Sequence, residues 1–218
     1  MLKSLVKSLL NGIALALTWP CAVMCSLERM ADPNREELFS FWAQCFALLP
    51  GTPGMYLRRA FYRRTLDACA ADCFLGFGVV FSTRRAVVES QAYVGTYALI
   101  GSVILRRTCL IGSRVSLLSG GQLHVMDPQG NWLPTDLSRR QQIEIGENAW
   151  IGEGAVVMAD IGPRAMVSAG AVISSAIPPS VMVAGNPARF VKRLAPPSEE
   201  QAAAESGGAR NQLPVAAS

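Results

Sequence analysis

The chain has 218 residues, half of them hydrophobic, a net charge of +4, six Cys and one His. That length and apolar content point to one principal domain with extensions. A disulfide frame is disfavoured: of Cys21, Cys25, Cys45, Cys69, Cys73 and Cys109, four fall in apolar or helical segments, Cys109 takes a small-residue slot and no CxxC occurs, so they read as buried thiols. No metal is expected, since one histidine and this cysteine spacing do not make a zinc site.

Lys3, Lys7, Arg58, Arg59, Arg63, Arg64, Arg84 and Arg85 gather in the amino-terminal part of the chain. Such a cluster suits an anionic membrane surface better than nucleic acid. Residues 8–27, SLLNGIALALTWPCAVMCSL, are uncharged between Lys7 and Glu28, long enough for a bilayer core of about 30 Å. A signal peptide has the same outline, but no small-x-small cleavage site ends it. A core helix is a further reading, with Pro20 expected to kink it. Membrane association is the expectation, and span and interfacial helix both stay open.

A second apolar segment covers residues 37–49, and Pro50-Gly51-Thr52-Pro53-Gly54 reads as the turn that ends it. Met55 to Leu66 then interleaves aromatic and aliphatic residues with four arginines. This fits either a helix on a bilayer surface or a cap on the open end of a downstream coil.

From Val94 onward a six-residue register appears: Val94-Gly95 with Ala98, Ile100-Gly101, Leu105 with Cys109, Ile111-Gly112 with Val115, then Leu117. It returns as Ile145-Gly146-Glu147-Asn148-Ala149-Trp150, Ile151-Gly152-Glu153-Gly154-Ala155-Val156, Ile161-Gly162-Pro163-Arg164-Ala165-Met166 and Val167-Ser168-Ala169-Gly170-Ala171-Val172. Neither a helix nor a plain strand has that period. A coil of short strands does, with opener and Ala filling a narrow interior and Gly supplying freedom at the corner. Between the blocks, Ser119 to Gln142 is too long and polar for a coil turn and is expected to carry function. After Leu194 the chain has little to bury and reads as a disordered tail.

The repeats, with the ending ISSAIPPSVMVAGNPARFVK at 173–192, resemble the hexapeptide-repeat acyltransferases over roughly residues 75–193. The resemblance is closest in style to O-acetyltransferases of bacterial polysaccharide biosynthesis. It implies a mainly β fold, a left-handed parallel β-helix, here with an amino-terminal helical, membrane-associated extension. The expected organisation is 1–72 helical, 73–193 β-helix with a loop at 119–142, and 194–218 tail. A homotrimer with sites between subunits is also implied.

In the family a histidine in such a loop takes the proton of an acceptor hydroxyl, and His124 occupies that position here. Asp127 is its candidate orienting partner, or else the first residue of the turn Asp127-Pro128-Gln129-Gly130; Asp136 and Asp160 are further carboxylates. Relatives often have Asp and Asn on the preceding coil, where Leu105-Arg106-Arg107-Thr108 offers neither. The donor, acetyl coenzyme A, is implied to lie along the outside of the coil. Motif matching assigns its contacts to Trp150, Glu153, Ala169, Ser174, Ser175, Arg189 and Lys192, with Gly152 and Ala169 small enough to let an extended ligand approach. Ser174-Ser175 replaces the usual Thr-Lys.

These readings add up to a coenzyme A-dependent O-acetyltransferase acting on a sugar hydroxyl in surface-polysaccharide biosynthesis. Its expected place is the cytoplasmic face of the inner membrane, with a small-molecule or lipid-linked glycan acceptor and no nucleic acid. Alternatives are serine or amino-sugar acetylation and a non-catalytic membrane-anchored scaffold. The carbonic anhydrases of this fold are disfavoured, since their metal needs three histidines.

Overall fold

An aliphatic opener every six residues can line a narrow interior only if the chain turns a corner after each unit. In the computed structural model, which describes residues 2–119, 125–133 and 140–194, it does so throughout the coil. The first face of the resulting prism holds β1 (Ala68–Cys69), β4 (Ala86–Val88), β7 (Val103–Leu105) and β10 (Ile143–Ile145), extended by parallel bridges at Ile161 and Ile177. The second holds β2 (Phe74–Leu75), β5 (Tyr93–Val94), β8 (Leu110–Ile111), β11 (Trp150–Ile151), β13 (Met166–Val167) and β15 (Val181–Ala184). The third holds β3 (Val80–Phe81), β6 (Leu99–Ile100), β9 (Ser116–Leu117), β12 (Val156–Val157) and β14 (Val172–Ile173). All of these pair in parallel, and β16 (Arg189–Arg193) runs back, antiparallel to β15. The coil starts at Ala68, ahead of the expected 73.

Openers such as Leu75, Val94, Ile111, Ile151 and Val167 are fully buried, and so are the small residues four places later, Ala149, Ala155 and Ala171 among them. The glycine after the opener has a different role from the one expected. It does not carry the left-handed backbone. That conformation sits two residues further on, at φ of 55–60° in Gln91, Tyr97, Thr108, Arg114, Asn148, Arg164 and Ser180, and in Gly78, Gly154 and Gly170. The second-place glycines are needed because rungs nearly touch there: a Cβ on Gly146 would lie 2.4 Å from Pro163 N, and one on Gly152 2.4 Å from Ala169 N. The neighbouring rung alone therefore requires Gly152 to be small.

Along the second face Phe74 pairs with Tyr93, Tyr93 with Leu110, Leu110 with Trp150, Trp150 with Met166 and Met166 with Met182, spacings of 19, 17, 40, 16 and 16 residues. Two of the three faces keep the six-residue step, so the variation collects at one edge. From the third face to the first, Phe81 to Val88 takes 7 residues, Ile100 to Leu105 takes 5, Leu117 to Ile145 takes 28, and Val157 to Ile161 and Ile173 to Ile177 take 4 each. The long loop is the extreme case of an edge that is irregular throughout.

Three helices cover the start of the coil: α1 (Leu2–Ala31), α2 (Glu37–Ala47) and α3 (Gly51–Thr65). Phe39, Phe46, Phe61 and Tyr62 bury their rings together, and Tyr62 meets Phe81 of the first turn at 4.7 Å between centroids. Residues 37–66 are thus a cap, and any β-helix needs one to cover its open end. The Pro-Gly cluster does not form the expected turn; Pro50 is the N-cap of α3 and Pro53 lies in its first turn, where a missing N–H costs nothing. Nor do all four arginines reach outward. Arg58 is 1% exposed and donates to the carbonyls of Phe46 (3.0 Å), Leu49 (2.7 Å) and Leu75 (3.3 Å), satisfying the carboxy-terminal end of α2. Arg59 donates to Cys73 O (3.0 Å) and to Asn11 Oδ1 (2.8 Å), fastening α1 to the coil.

Candidate functional site

The donor residues inferred from the sequence fall around the last turns. Glu153 and Ala169 are exposed at the edge between second and third faces, and Ser174 and Ser175 are exposed at the edge between third and first. Between them run β12 and β14, with Val156 and Val172 turned outward. Gly185 to Ala188 closes over β14, since Val172 N donates to Gly185 O (3.0 Å) and Ala188 N to Val172 O (3.0 Å), and Arg189 follows directly. These residues bracket the third face from edge to edge. Lys192 lies on β16 opposite Met182, and every residue of that strand is exposed. Trp150 stands on the outside of the second face, 50% exposed, too large for the interior that Ile151 fills. Glu153 is ion-paired with Arg114 on the preceding turn.

At the irregular edge lies a recess of about 810 Å³, lined by Gln141, Gln142, Met158, Asp160, Ser174 and Ser175 among others. Two successive edges of only four residues leave the space. Asp160 is fixed at its side: its Oδ1 accepts from Glu144 N (2.8 Å), and its own carbonyl accepts from Ile177 N (2.9 Å). Sequence reasoning named Asp160 only as a distant carboxylate and missed Gln141, Gln142 and Met158. The signal for them was the two-residue shortening of the repeat after Val157 and Ile173.

The long loop leaves and returns beside this recess. Gln141 N donates to Ser119 O (3.1 Å), closing its base, and Ser119 Oγ accepts from Ser102 N (2.7 Å). Arg140 donates to Thr83 Oγ1 (2.7 Å), and Gln142 Nε2 to Arg85 O (3.3 Å), tying the returning strand to the first turn of the coil. His124 and Asp136 lie outside the described residues. Residues 125–133 form a hairpin in which Met126 pairs with Trp132. Asp127 makes its turn: Oδ1 accepts from Gln129 N (2.9 Å) and Asn131 N (2.8 Å), and Oδ2 from Asn131 Nδ2 (3.0 Å). The backbone N–H of Asn131, then its side chain, hold this carboxyl below the usual range. Of the two roles expected for Asp127, the described contacts are those of the turn.

Where relatives often place Asp and Asn, Arg106 joins three rungs. It grips Glu144 through two bonds of 2.9 Å and Glu89 through one of 2.8 Å. Its hydrogen bonds depress the Glu144 carboxyl. This is a ladder that ties the coil together, with no free acceptor group.

The fold is shared with solved structures. A maltose O-acetyltransferase from Clostridium difficile 630 matches at 17% identity, over 79% of this chain and 89% of that one, with a TM-score of 0.55. A galactoside acetyltransferase in complex with coenzyme A matches at 18% identity, over 73% and 81%, with a TM-score of 0.57. A hexapeptide-repeat-containing acetyltransferase from Vibrio cholerae O1 biovar eltor, complexed with acetyl coenzyme A, matches at 16% identity, over 72% and 86%, with a TM-score of 0.52. No protein-family model and no curated relative matches the chain. The fold is therefore that of the hexapeptide-repeat acetyltransferases, the left-handed parallel β-helix that the family resemblance implied.

Proposed function

We propose that this chain is a coenzyme A-dependent O-acetyltransferase that acetylates a sugar hydroxyl in surface-polysaccharide biosynthesis, working as a homotrimer at the cytoplasmic face of a membrane. One observation carries the reading. The residues picked out by motif, Glu153, Ala169, Ser174, Ser175 and Arg189, bracket one outer face of the coil, and the loop bearing His124 springs from the recess that Ser174 and Ser175 line. Structural neighbours complexed with coenzyme A or acetyl coenzyme A add support, as does a neighbour acting on maltose.

In this mechanism Arg189 and Lys192 hold the donor's phosphates, with a weaker grip than a lysine at 175 would allow. Trp150 lines the cleft from the second face. His124 takes the proton from the acceptor hydroxyl, whose oxygen attacks the thioester carbonyl carbon. Backbone N–H groups stabilise the oxyanion, and the carbon–sulfur bond then breaks. The imidazolium returns its proton to the departing thiolate, leaving an acetyl ester and free coenzyme A. Asp127 keeps the hairpin that follows His124 in the chain in shape. The trimer is supported by the outer column of the second face, Phe74, Tyr93, Leu110, Trp150, Met166 and Met182, which is apolar through six rungs.

The test is calorimetric and enzymatic. Coenzyme A at 100 times its dissociation constant should stabilise the protein by about 2.7 kcal/mol, and acetyl coenzyme A should be consumed only when a hydroxylated sugar is present. No stabilisation by coenzyme A would end the reading in favour of a non-catalytic scaffold.

A further inference from the structure

Helix α1 has its amphipathicity inside out. A helix on a water-soluble protein turns its apolar stripe inward and its polar residues to solvent. In α1 the stripe at three- and four-residue spacing that faces the protein is Asn11, Ala14, Thr18, Cys21, Ala22, Cys25 and Glu28, with Ala14 to Glu28 all 9% exposed or less. It contains the small and polar residues, and Lys7 continues the same line toward the amino terminus. The opposite side shows Leu5 (68% exposed), Leu9 (62%), Leu17 (63%), Leu27 (60%) and Met30 (81%). Ile13, Trp19 and Met24 are exposed between them, and the charged residues Lys7, Glu28 and Arg29 all project to the other half of the helix wheel. This uncharged face extends for about 38 Å at 1.5 Å per residue, larger than the isolated apolar patches of soluble monomers.

We infer that α1 lies in the plane of a membrane, its outward face sunk into the headgroup and acyl boundary while its inner face stays docked on the protein. Bilayer is the occupant that matches the segregation of charge, because Lys7, Glu28 and Arg29 all lie on the other half of the helix and leave the outward strip uninterrupted. The same contacts argue against a span. Crossing takes about 20 residues free of the protein, yet ties to the body run from Asn11, bonded to Arg59, to Glu28, ion-paired in the interior with Arg84. Glu28 also accepts from Leu38 N (2.7 Å) and Phe39 N (3.3 Å) at the start of α2. A spanning α1 would break all of these and expose Cys21, Ala22 and Cys25 to lipid in place of the leucines.

This inference rests on the membrane part of the proposed function and is independent of acetyl transfer. Two experiments on the full chain test it. In flotation with vesicles of phosphatidylethanolamine and phosphatidylglycerol, the wild type should rise with the lipid, and the double variant Leu9→Glu, Leu17→Glu should stay behind with an unchanged melting midpoint. If the wild type does not float, the membrane reading itself falls. If the variant floats, or melts lower because that face is a contact between copies, the outward face is not the lipid surface. In the second experiment, a tag at residue 1 in inverted vesicles of the cytoplasmic membrane should be removed by protease added outside. A protected tag alongside intact flotation would mean a span, overturning the in-plane placement while leaving membrane association standing.

Discussion

Within each hexad two positions constrain the backbone for different reasons, and single substitutions separate them. Gly146→Ala should destabilise by about 1–3 kcal/mol, the usual cost of overpacking, because its Cβ would meet backbone atoms of the next rung, Pro163 N and Gly162 C, and not a movable side chain. Arg164→Gly should be neutral to stabilising by up to about 1 kcal/mol, since left-handed backbone costs a side-chain-bearing residue about 1–2 kcal/mol and glycine gives part of that back as chain entropy. Urea melts of the two variants measure both, and a Gly146→Ala protein as stable as the wild type would show that the rung contact does not set the glycine requirement. At the site, His124→Ala should lower turnover by roughly 10²–10⁴, the contribution of a positioned general base, with donor affinity held. Arg189→Ala should weaken coenzyme A binding by about 1.5–3 kcal/mol, as for a hydrogen bond to a charged group, with turnover recovered at saturating donor. Steady-state kinetics together with titration calorimetry distinguish them, and full activity in the His124 variant removes the general-base mechanism.

Among the elements, α1, α2 and the coil meet at one buried ion pair. Glu28 of α1 accepts from the first-turn N–H groups of α2, acting as an N-cap from another helix, and is paired with Arg84 of the coil; both side chains are under 5% exposed. Burial pushes the Glu28 carboxyl up, but the Leu38 and Phe39 N–H groups and Arg84 outweigh it and hold it below its ordinary value of 4.5. The stability it supplies is thus fully present above that ordinary value and is lost as pH falls through the depressed one. Arg84→Met should cost about 3–5 kcal/mol at neutral pH, because a buried carboxylate is left without its cation. The deficit should shrink as pH drops below 4.5, since protonated Glu28 no longer needs the cation. Chemical denaturation of both proteins across that range checks it, and a deficit that does not change with pH would mean Arg84 acts through packing alone. None of this junction could be read from sequence: Glu28 and Arg84 are 56 residues apart, and no local pattern links them.

At the scale of the whole molecule, legibility follows how far each feature is written in one residue type at a fixed spacing. The coil from Val94 onward was legible because interior slots accept only aliphatic and small residues. Its first turn was not, since Cys69 and Phe81 stand as openers and Cys73 takes the small slot. The donor motifs stood out for the same reason, whereas the recess did not, being made by two missing residues at each of two edges. The direction of α1 was hidden because hydropathy sums over all sides of a helix, and only packing shows which side is inner. The outer column of the second face was likewise invisible as a unit, its members being 16 to 40 residues apart in the chain. There Phe74 stacks on Tyr93 at 4.7 Å, Leu110 is 39% exposed and Trp150 50% exposed, so a continuous apolar strip runs down the flank of the prism. A neighbouring copy packed in parallel would bury it, and closing a ring of such contacts leaves no strip open. Leu110→Glu puts a charge in the middle of that contact, where it is desolvated without a partner. The variant should therefore run as a monomer by light scattering in detergent while the wild type runs as a trimer. Its melting midpoint as an isolated chain should change little, because the side chain points away from the coil interior. A wild type that is monomeric with full activity would remove the trimer, and a Leu110→Glu protein that stays trimeric would move the contact to another face.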